Sequence, residues 1–190
     1  MHFIKSLSNP SYHQADVWLA EELGRKFVRK DFRKWGWPGR FLLDREAAFY
    51  KRLAGIKGIP AFYGSPESGV MDIEYIEGNS IKDNRNLPAE FFDKLEKLVS
   101  AIHERGVLYF DLRHKSNVLV SNGEPVIIDF ATCFHMPKLL PFLGWVDSEA
   151  VLFLKHSVSP ELLSAAQLCH VKKMNRLCKL WFFNRIVKGD

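Results

Sequence analysis

Cysteine is scarce: three residues, Cys133, Cys169 and Cys178, with no C-x-x-C pair among them. An odd, scattered set excludes a disulfide framework and suits a reducing compartment. Long apolar runs are missing too, since no uncharged stretch approaches the ~18 residues of a membrane span. The first twenty residues include Lys5, Asn9, Pro10, His13 and Asp16, which predicts no signal peptide and a cytoplasmic location. His103, His114 and His135 show no metal-binding spacing and read as surface or structural residues, and Cys133 reads as a core thiol. Internal repeats and low-complexity segments are absent. Acidic residues are lacking from Cys169 to Gly189, where six Lys and Arg occur.

What is present bounds the fold. The chain has 190 residues and 47% apolar content, enough for a sizeable core in one or two small domains and too apolar for disorder. Net charge is +5, concentrated in two places. Besides the C-terminal run, Arg25 to Arg40 carries seven basic residues against Asp31 alone. Basic faces attract phosphate-rich partners, and a solvated surface is the alternative for each.

Three short segments recur in the order that phosphoryl transfer from ATP requires. They are Val28-Arg29-Lys30, Asp111-Leu112-Arg113 with Asn117, and Ile128-Asp129-Phe130. A lysine on a strand can hold phosphates, and an aspartate can orient a hydroxyl nucleophile. An asparagine and a second aspartate can hold magnesium.

The periodicity predicts strands near 2–7 and 14–21 around a turn at Ser8-Asn9-Pro10-Ser11, then a third strand from Lys26 to Phe32. A loop with Trp35, Gly36, Trp37, Pro38 and Gly39 leads into a helix over 41–54, which Gly55 to Pro60 ends. Strands follow near 61–63 and 69–76. Pro88 starts a helix with the apolar stripe Phe91, Phe92, Leu95, Leu98, Val99 and Ile102. Short strands are predicted at 107–109, 118–120 and 126–128, with a Ser121-Asn122-Gly123-Glu124 turn. Asp147 and Ser159-Pro160 read as helix starts.

Individual side chains carry the chemistry. Glu46 sits among Leu42, Leu43, Phe49 and Tyr50 at helical spacing, and a carboxylate there needs a cation. Lys30 on the preceding strand is the candidate, and the pair would aim the lysine at ATP phosphates. Asp111 lies between an apolar helix and a strand, where it can take a hydroxyl proton late in transfer. Arg113 can neutralise charge on the moving phosphoryl group. Asn117 and Asp129, an amide and a carboxylate oxygen, suit magnesium bound mainly by nucleotide phosphates. The uncharged segment Leu139 to Trp145 fits either internal packing or a surface meeting a lipid-linked acceptor. A terminal helix from Val171, with Met174, Leu177, Cys178, Trp181, Phe182 and Ile186 among basic residues, fits a core stripe or an anionic membrane surface. Nucleic-acid binding has no aromatic-interleaved motif behind it.

Residues 24–135 resemble the protein-kinase-like superfamily, in particular its bacterial lipopolysaccharide core kinase and RIO-like branch. The resemblance rests on Phe-Val-Arg-Lys-Asp-Phe, Asp-Arg-Glu-Ala-Ala-Phe-Tyr-Lys-Arg-Leu, Glu-Tyr-Ile-Glu-Gly, Ile-His-Glu-Arg-Gly-Val, Asp-Leu-Arg and Ile-Asp-Phe-Ala. It implies an α+β, compact bilobal fold, with a small antiparallel sheet lobe and one helix over 1–76. A reduced, mainly helical lobe would occupy 77–190. It implies ATP and Mg2+ as cofactors, Lys30 and Glu46 as the phosphate-lysine pair, Asp111 as the catalytic acid, and Asn117 with Asp129 as metal ligands. Glu74, Tyr75 and Ile76 become the hinge that pairs with adenine. Val28 and Leu119 sandwich the base, and Gly78 lets the ribose approach.

Four departures stand out. No glycine precedes Gly24, so Ser8 to Tyr12 must replace the glycine-rich loop. Tyr-Phe rather than His-Arg precedes Asp111, and Ala131 replaces the glycine after Asp-Phe. Asn117 lies one residue further from Asp111 than the family pattern. These argue against a regulated eukaryotic-type protein kinase. The reading is an ATP-dependent kinase acting on a sugar hydroxyl of a lipopolysaccharide core or related envelope glycolipid, peripheral on the inner face of the membrane. A RIO-like serine/threonine kinase with a protein acceptor and a non-catalytic nucleotide-binding pseudokinase are the alternatives.

Overall fold

A computed structural model describes residues 2–8 and 14–180, with side chains as far as residue 175. The fold is α+β and divides into two compact units. The first holds Met1–Glu77 together with Asp129–Ala131, the second Gly78–Ile128 and Thr132–Asp190.

The first unit is built on an antiparallel sheet of five strands: β1 (His2–Ser6), β2 (Asp16–Glu22), β3 (Arg25–Asp31), β4 (Phe62–Glu67) and β5 (Val70–Glu74), in the order β1-β2-β3-β5-β4. Leu23 and Gly24, both at positive φ (51° and 77°), close the β2–β3 hairpin in two residues. That backbone matches the twist of the flanking strands. In β3, Lys30 lies opposite Val17 on one side and Met71 on the other. The helix α1 (Gly36–Arg52) buries Leu43, Glu46, Ala47 and Tyr50, one stripe at helical spacing.

Helix α1 begins earlier than the sequence suggests. The segment Trp35 to Gly39, expected as a loop, forms the end of a 3-10 turn (Arg33–Trp35) and the first turn of the helix. Pro38 is tolerated there because first-turn N–H groups have no partner inside the helix. Gly39 is required by contact: a Cβ would stand 2.0 Å from the Phe32 carbonyl oxygen. Trp35 stacks on Phe32 at 5.3 Å.

The basic stretch Arg25 to Arg40 is neutralised in part within the unit. Arg29 binds Asp72 through two hydrogen bonds of 2.7 and 2.6 Å, Arg33 binds Asp31 and Glu67, and Lys34 binds Asp16. A phosphate-attracting patch therefore does not arise from these three side chains.

In the second unit, β6 (Asn79–Ser80) leads to α2 (Ala89–Glu104), which buries Phe91, Phe92, Leu95, Leu98, Val99 and Ile102, the stripe read from the sequence. Strand β7 (Val107–Leu108) follows, then β8 (Val118–Ser121) and β9 (Glu124–Ile127) around an Asn122-Gly123 turn at φ 50° and 76°. β6, β8 and β9 form one small sheet, and β10 (Phe134–His135) pairs with β7. Helices α3 (Leu140–Leu143), α4 (Trp145–Val158) and α5 (Ala165–Leu180) complete the unit. Asp147 does not start a helix: α4 begins at Trp145 and holds Asp147 in its first turn. Ser159-Pro160 opens only a 3-10 turn (Pro160–Leu162), because Leu163 is extended and stops it before α5. Among the described residues, no helix is long and apolar enough to cross a membrane.

Gly39→Ala should destabilise the first unit by about 1–3 kcal/mol, the range for forcing atoms into filled space. Denaturant titration beside the unaltered protein checks this. An unchanged midpoint would show that the Phe32 contact is not restrictive.

Candidate active site

Two clusters of polar side chains form, one in each unit. In the first, Lys30 Nζ lies 2.7 Å from Glu46 Oε1 and 3.4 Å from Asp129 Oδ1. Glu46 Oε1 also accepts the Phe130 N–H at 3.2 Å, and the Tyr50 hydroxyl accepts the Asp129 N–H at 3.2 Å. The Tyr50 ring meets Phe130 edge-on, with centroids 4.9 Å apart. These contacts hold Asp129 at φ +67°, a backbone state a non-glycine residue adopts only when its surroundings fix it.

One ammonium here faces two carboxylates, which leaves a single net negative charge. Burial alone would lower the Lys30 pKa, but Asp129 and Glu46 outweigh it and hold the lysine above its ordinary range. Burial raises the Glu46 carboxyl, reinforced by Asp129 and opposed by Lys30. Two anions around one cation keep the lysine charged. Burial likewise pushes the Tyr50 phenol well above its usual range, so it remains a hydroxyl. Asp129 keeps 47% side-chain exposure, so an accessible carboxylate in a net negative cluster fits a divalent cation.

The second cluster surrounds Asp111. Asn117 Nδ2 donates to the Asp111 carbonyl at 3.2 Å and to its carboxylate at 3.3 Å. The extra residue between them is absorbed by a 3-10 turn (Lys115–Asn117), so the asparagine still reaches the aspartate. Asn117 Oδ1 accepts the Ser116 hydroxyl at 3.4 Å, and the residue is buried. It therefore suits holding the Asp111 loop at least as well as ligating a metal. Arg113 Nη2 donates to Asn175 Oδ1 at 3.0 Å, and its guanidinium lies over the Phe153 ring at 4.3 Å.

The residue that sequence reasoning missed is Asp147. It is fully buried, at 0% exposure. Its carboxylate accepts the Tyr109 N–H at 2.9 Å and the Phe110 N–H at 2.8 Å, and His103 Nε2 lies 2.8 Å away. Phe110 sits at φ +71°, so a buried anion pins a strained backbone immediately before Asp111. The signal was present: Ala150 and Val151, three and four residues on, make Asp147 a carboxylate on an apolar helix face, the pattern that singled out Glu46.

The expected nucleotide contacts fall as follows. Glu74 donates its N–H to the Ala61 carbonyl at 2.8 Å and accepts the Ala61 N–H at 3.0 Å through its carboxylate. Val28 and Ile76 are half-buried in the first unit, Leu119 half-buried in the second. Gly78 has a packing reason of its own, since a Cβ would meet the Val120 carbonyl at 2.7 Å. Ser8 Oγ accepts the Val17 N–H, while Asn9 to Tyr12, the rest of the substitute phosphate loop, lie outside the described residues. So do the side chains of Leu177 and Cys178 and all of Trp181, Phe182 and Ile186. Of the terminal helix, Val171 is buried and Lys172 and Lys173 are exposed.

Comparison with known proteins bears on this arrangement. Residues 50–135 match the family described as lipopolysaccharide core biosynthesis protein (WaaY). The chain is also 32% identical over 62 residues to the lipopolysaccharide core heptose(II) kinase WaaY of Escherichia coli (strain K12). That similarity covers 33% of this chain and 26% of the relative, so the chain spans about a quarter of the relative's length. The family match contains Glu74, Ile76, Gly78, Asp111, Arg113, Asn117, Leu119 and Asp129. Val28, Lys30 and Glu46 lie outside it and stand on sequence pattern and geometry.

Lys30→Met should cost about 3–5 kcal/mol by stranding a buried carboxylate, whereas Lys30→Met with Glu46→Leu should recover much of it. The lysine's stabilisation is present below about pH 10 and is lost only as pH rises through its raised folded value. Unfolding free energy should thus show no step from this residue between about pH 6 and pH 9. Calorimetry of both variants checks the pair; a double variant less stable than the single contradicts it. Asp147→Asn should lose about 1.5–3 kcal/mol, the scale of hydrogen bonds to a charged group. Faster hydrogen exchange at Tyr109 and Phe110 than in the unaltered protein would locate that loss.

Proposed function

We propose that the chain is an ATP-dependent phosphotransferase whose acceptor is a hydroxyl on a sugar of the lipopolysaccharide core, in a bilobal kinase-like arrangement. The observation that carries it is the Lys30–Glu46–Asp129 cluster, an ammonium oriented by one buried carboxylate beside a second, accessible one. Support comes also from the WaaY match, which spans the Asp111 and Asp129 segments, and from that relative's name as a heptose(II) kinase.

In this reading Lys30 binds phosphate oxygens, and Glu46 fixes the ammonium so that no reorganisation is needed on binding. Asp129, with Asn117, would hold magnesium. When bound, that ion supplies charge neutralisation at the phosphates. Asp111 accepts a hydrogen bond from the acceptor hydroxyl, orients its oxygen toward the phosphorus and takes its proton late in transfer. Asn117 and Asp147 keep the Asp111 loop in place, the first through the side chain and the second through the preceding N–H groups. Backbone groups near Glu74 to Ile76 pair with the adenine, and Val28 and Leu119 flank it.

Incubation with labelled ATP, extracted envelope glycolipid and a generic protein substrate tests the reading directly. Label should enter the glycolipid; label in the protein alone would favour a RIO-like protein kinase, and nucleotide binding without turnover a pseudokinase. Asp111→Asn and Asp129→Asn should each lose about 3 kcal/mol of transition-state stabilisation, on the order of a hundredfold in rate, with melting temperature kept. Unchanged turnover in both would remove this site assignment.

A further inference from the structure

The second unit places all its large exposed apolar side chains, among the described residues, in one neighbourhood: Phe110, Phe134, Leu139, Phe142 and Trp145. Three of them follow a helical spacing. Leu139 is 46% exposed, Phe142 73% and Trp145 56%. Helices α3 and α4 abut at Gly144, whose backbone keeps a right-handed helical conformation (φ −59°, ψ −23°); Leu143 N–H donates to Leu139, Gly144 N–H to Leu140, and Ser148 N–H to Gly144. Positions three apart therefore stack on one face. Phe110 and Phe134 meet edge-on, with centroids 6.1 Å apart, and Phe134 belongs to the β10–β7 ladder that α3 also touches. Phe110 immediately precedes Asp111.

Lys138 is the only charged side chain in the segment that carries the row. From Thr132 to Val146 there is no Asp or Glu, while Lys138 and His135 are exposed within it. Asp147, which ends the stretch, is buried and committed to backbone N–H groups. Internal packing, one option for this segment, does not account for three large side chains in one row facing solvent. Exposed aromatics beside a lysine, in a segment with no acid of its own, complement an anionic lipid surface.

We propose that the Leu139–Phe142–Trp145 face, flanked by Lys138 and by Phe110 and Phe134, docks the second unit onto an anionic lipid leaflet. This rests on the glycolipid-kinase reading and deepens it, because a lipid-anchored sugar would then be presented beside Asp111.

The test uses the full chain, with vesicles of phosphatidylglycerol and phosphatidylcholine and vesicles of phosphatidylcholine alone. The unaltered protein should sediment with the anionic vesicles and less with neutral ones. Phe142→Ser with Trp145→Ser should bind at least about tenfold more weakly, since two interfacial aromatics are removed. Lys138→Gln should weaken binding by a smaller factor, and that difference should vanish in high salt. Phosphorylation of core oligosaccharide freed of its acyl chains should be the same for the double variant and the unaltered protein. Vesicle binding that is absent, or unchanged in the double variant, overturns the proposal. Loss of self-association in the double variant without loss of vesicle binding also overturns it, by making a second copy the occupant. Vesicle binding as expected with no transfer to either acceptor would instead sink the kinase reading and leave the docking surface standing.

Discussion

The constraint on which the first unit depends is a buried lysine that must satisfy two carboxylates. Lys30 Nζ reaches Glu46 at 2.7 Å and Asp129 at 3.4 Å, and the lysine and Glu46 are each costly to bury alone. The arrangement fixes several things at once. It sets the facing of β3 relative to α1, because both partners must point inward. It recruits the Phe130 N–H and the Tyr50 hydroxyl, which hold Asp129 at positive φ. It also leaves net negative charge beside an exposed carboxylate, a cluster that a hydrophobic replacement would stabilise but could not use.

The second unit repeats the device with a different pair of elements. Asp147, brought by α4, spends its charge on the N–H groups of Tyr109 and Phe110 and on His103. Its effect on Asp111 is indirect, through the backbone that carries it. Asn117 holds the same loop by donating to the carbonyl and carboxylate of Asp111 itself. In both units a buried anion stabilises a strained backbone, and each strained residue is at or next to a proposed catalytic carboxylate.

Much of this was legible in the sequence wherever one face is buried and the spacing is helical. The α2 stripe and the carboxylate of Glu46 among apolar neighbours were read that way, and the lysine opposite it followed from strand order. Asp147 carries the same signature and was passed over because a short polar residue after an apolar run also resembles a helix cap. The start of α1 was misplaced for a related reason: Trp-Gly-Trp-Pro-Gly has the composition of a loop. Its glycine at 39 answers to the Phe32 carbonyl, a tertiary contact invisible to local propensity. The basic stretch at Arg25 to Arg40 leaves two readings open in the sequence, a phosphate-attracting face and a solvated one, since its partners Asp72, Glu67 and Asp16 are distant.

On the proposed function, Lys30, Glu46 and Asp129 form a site for the phosphates of a metal-bound nucleotide. Isothermal titration of ATP, with and without magnesium, into the unaltered protein and Asp129→Asn addresses it most directly. The account predicts tighter binding with magnesium in the unaltered protein and loss of most of that gain in the variant. No ATP binding by the unaltered protein, or an equal magnesium gain in both proteins, would contradict it.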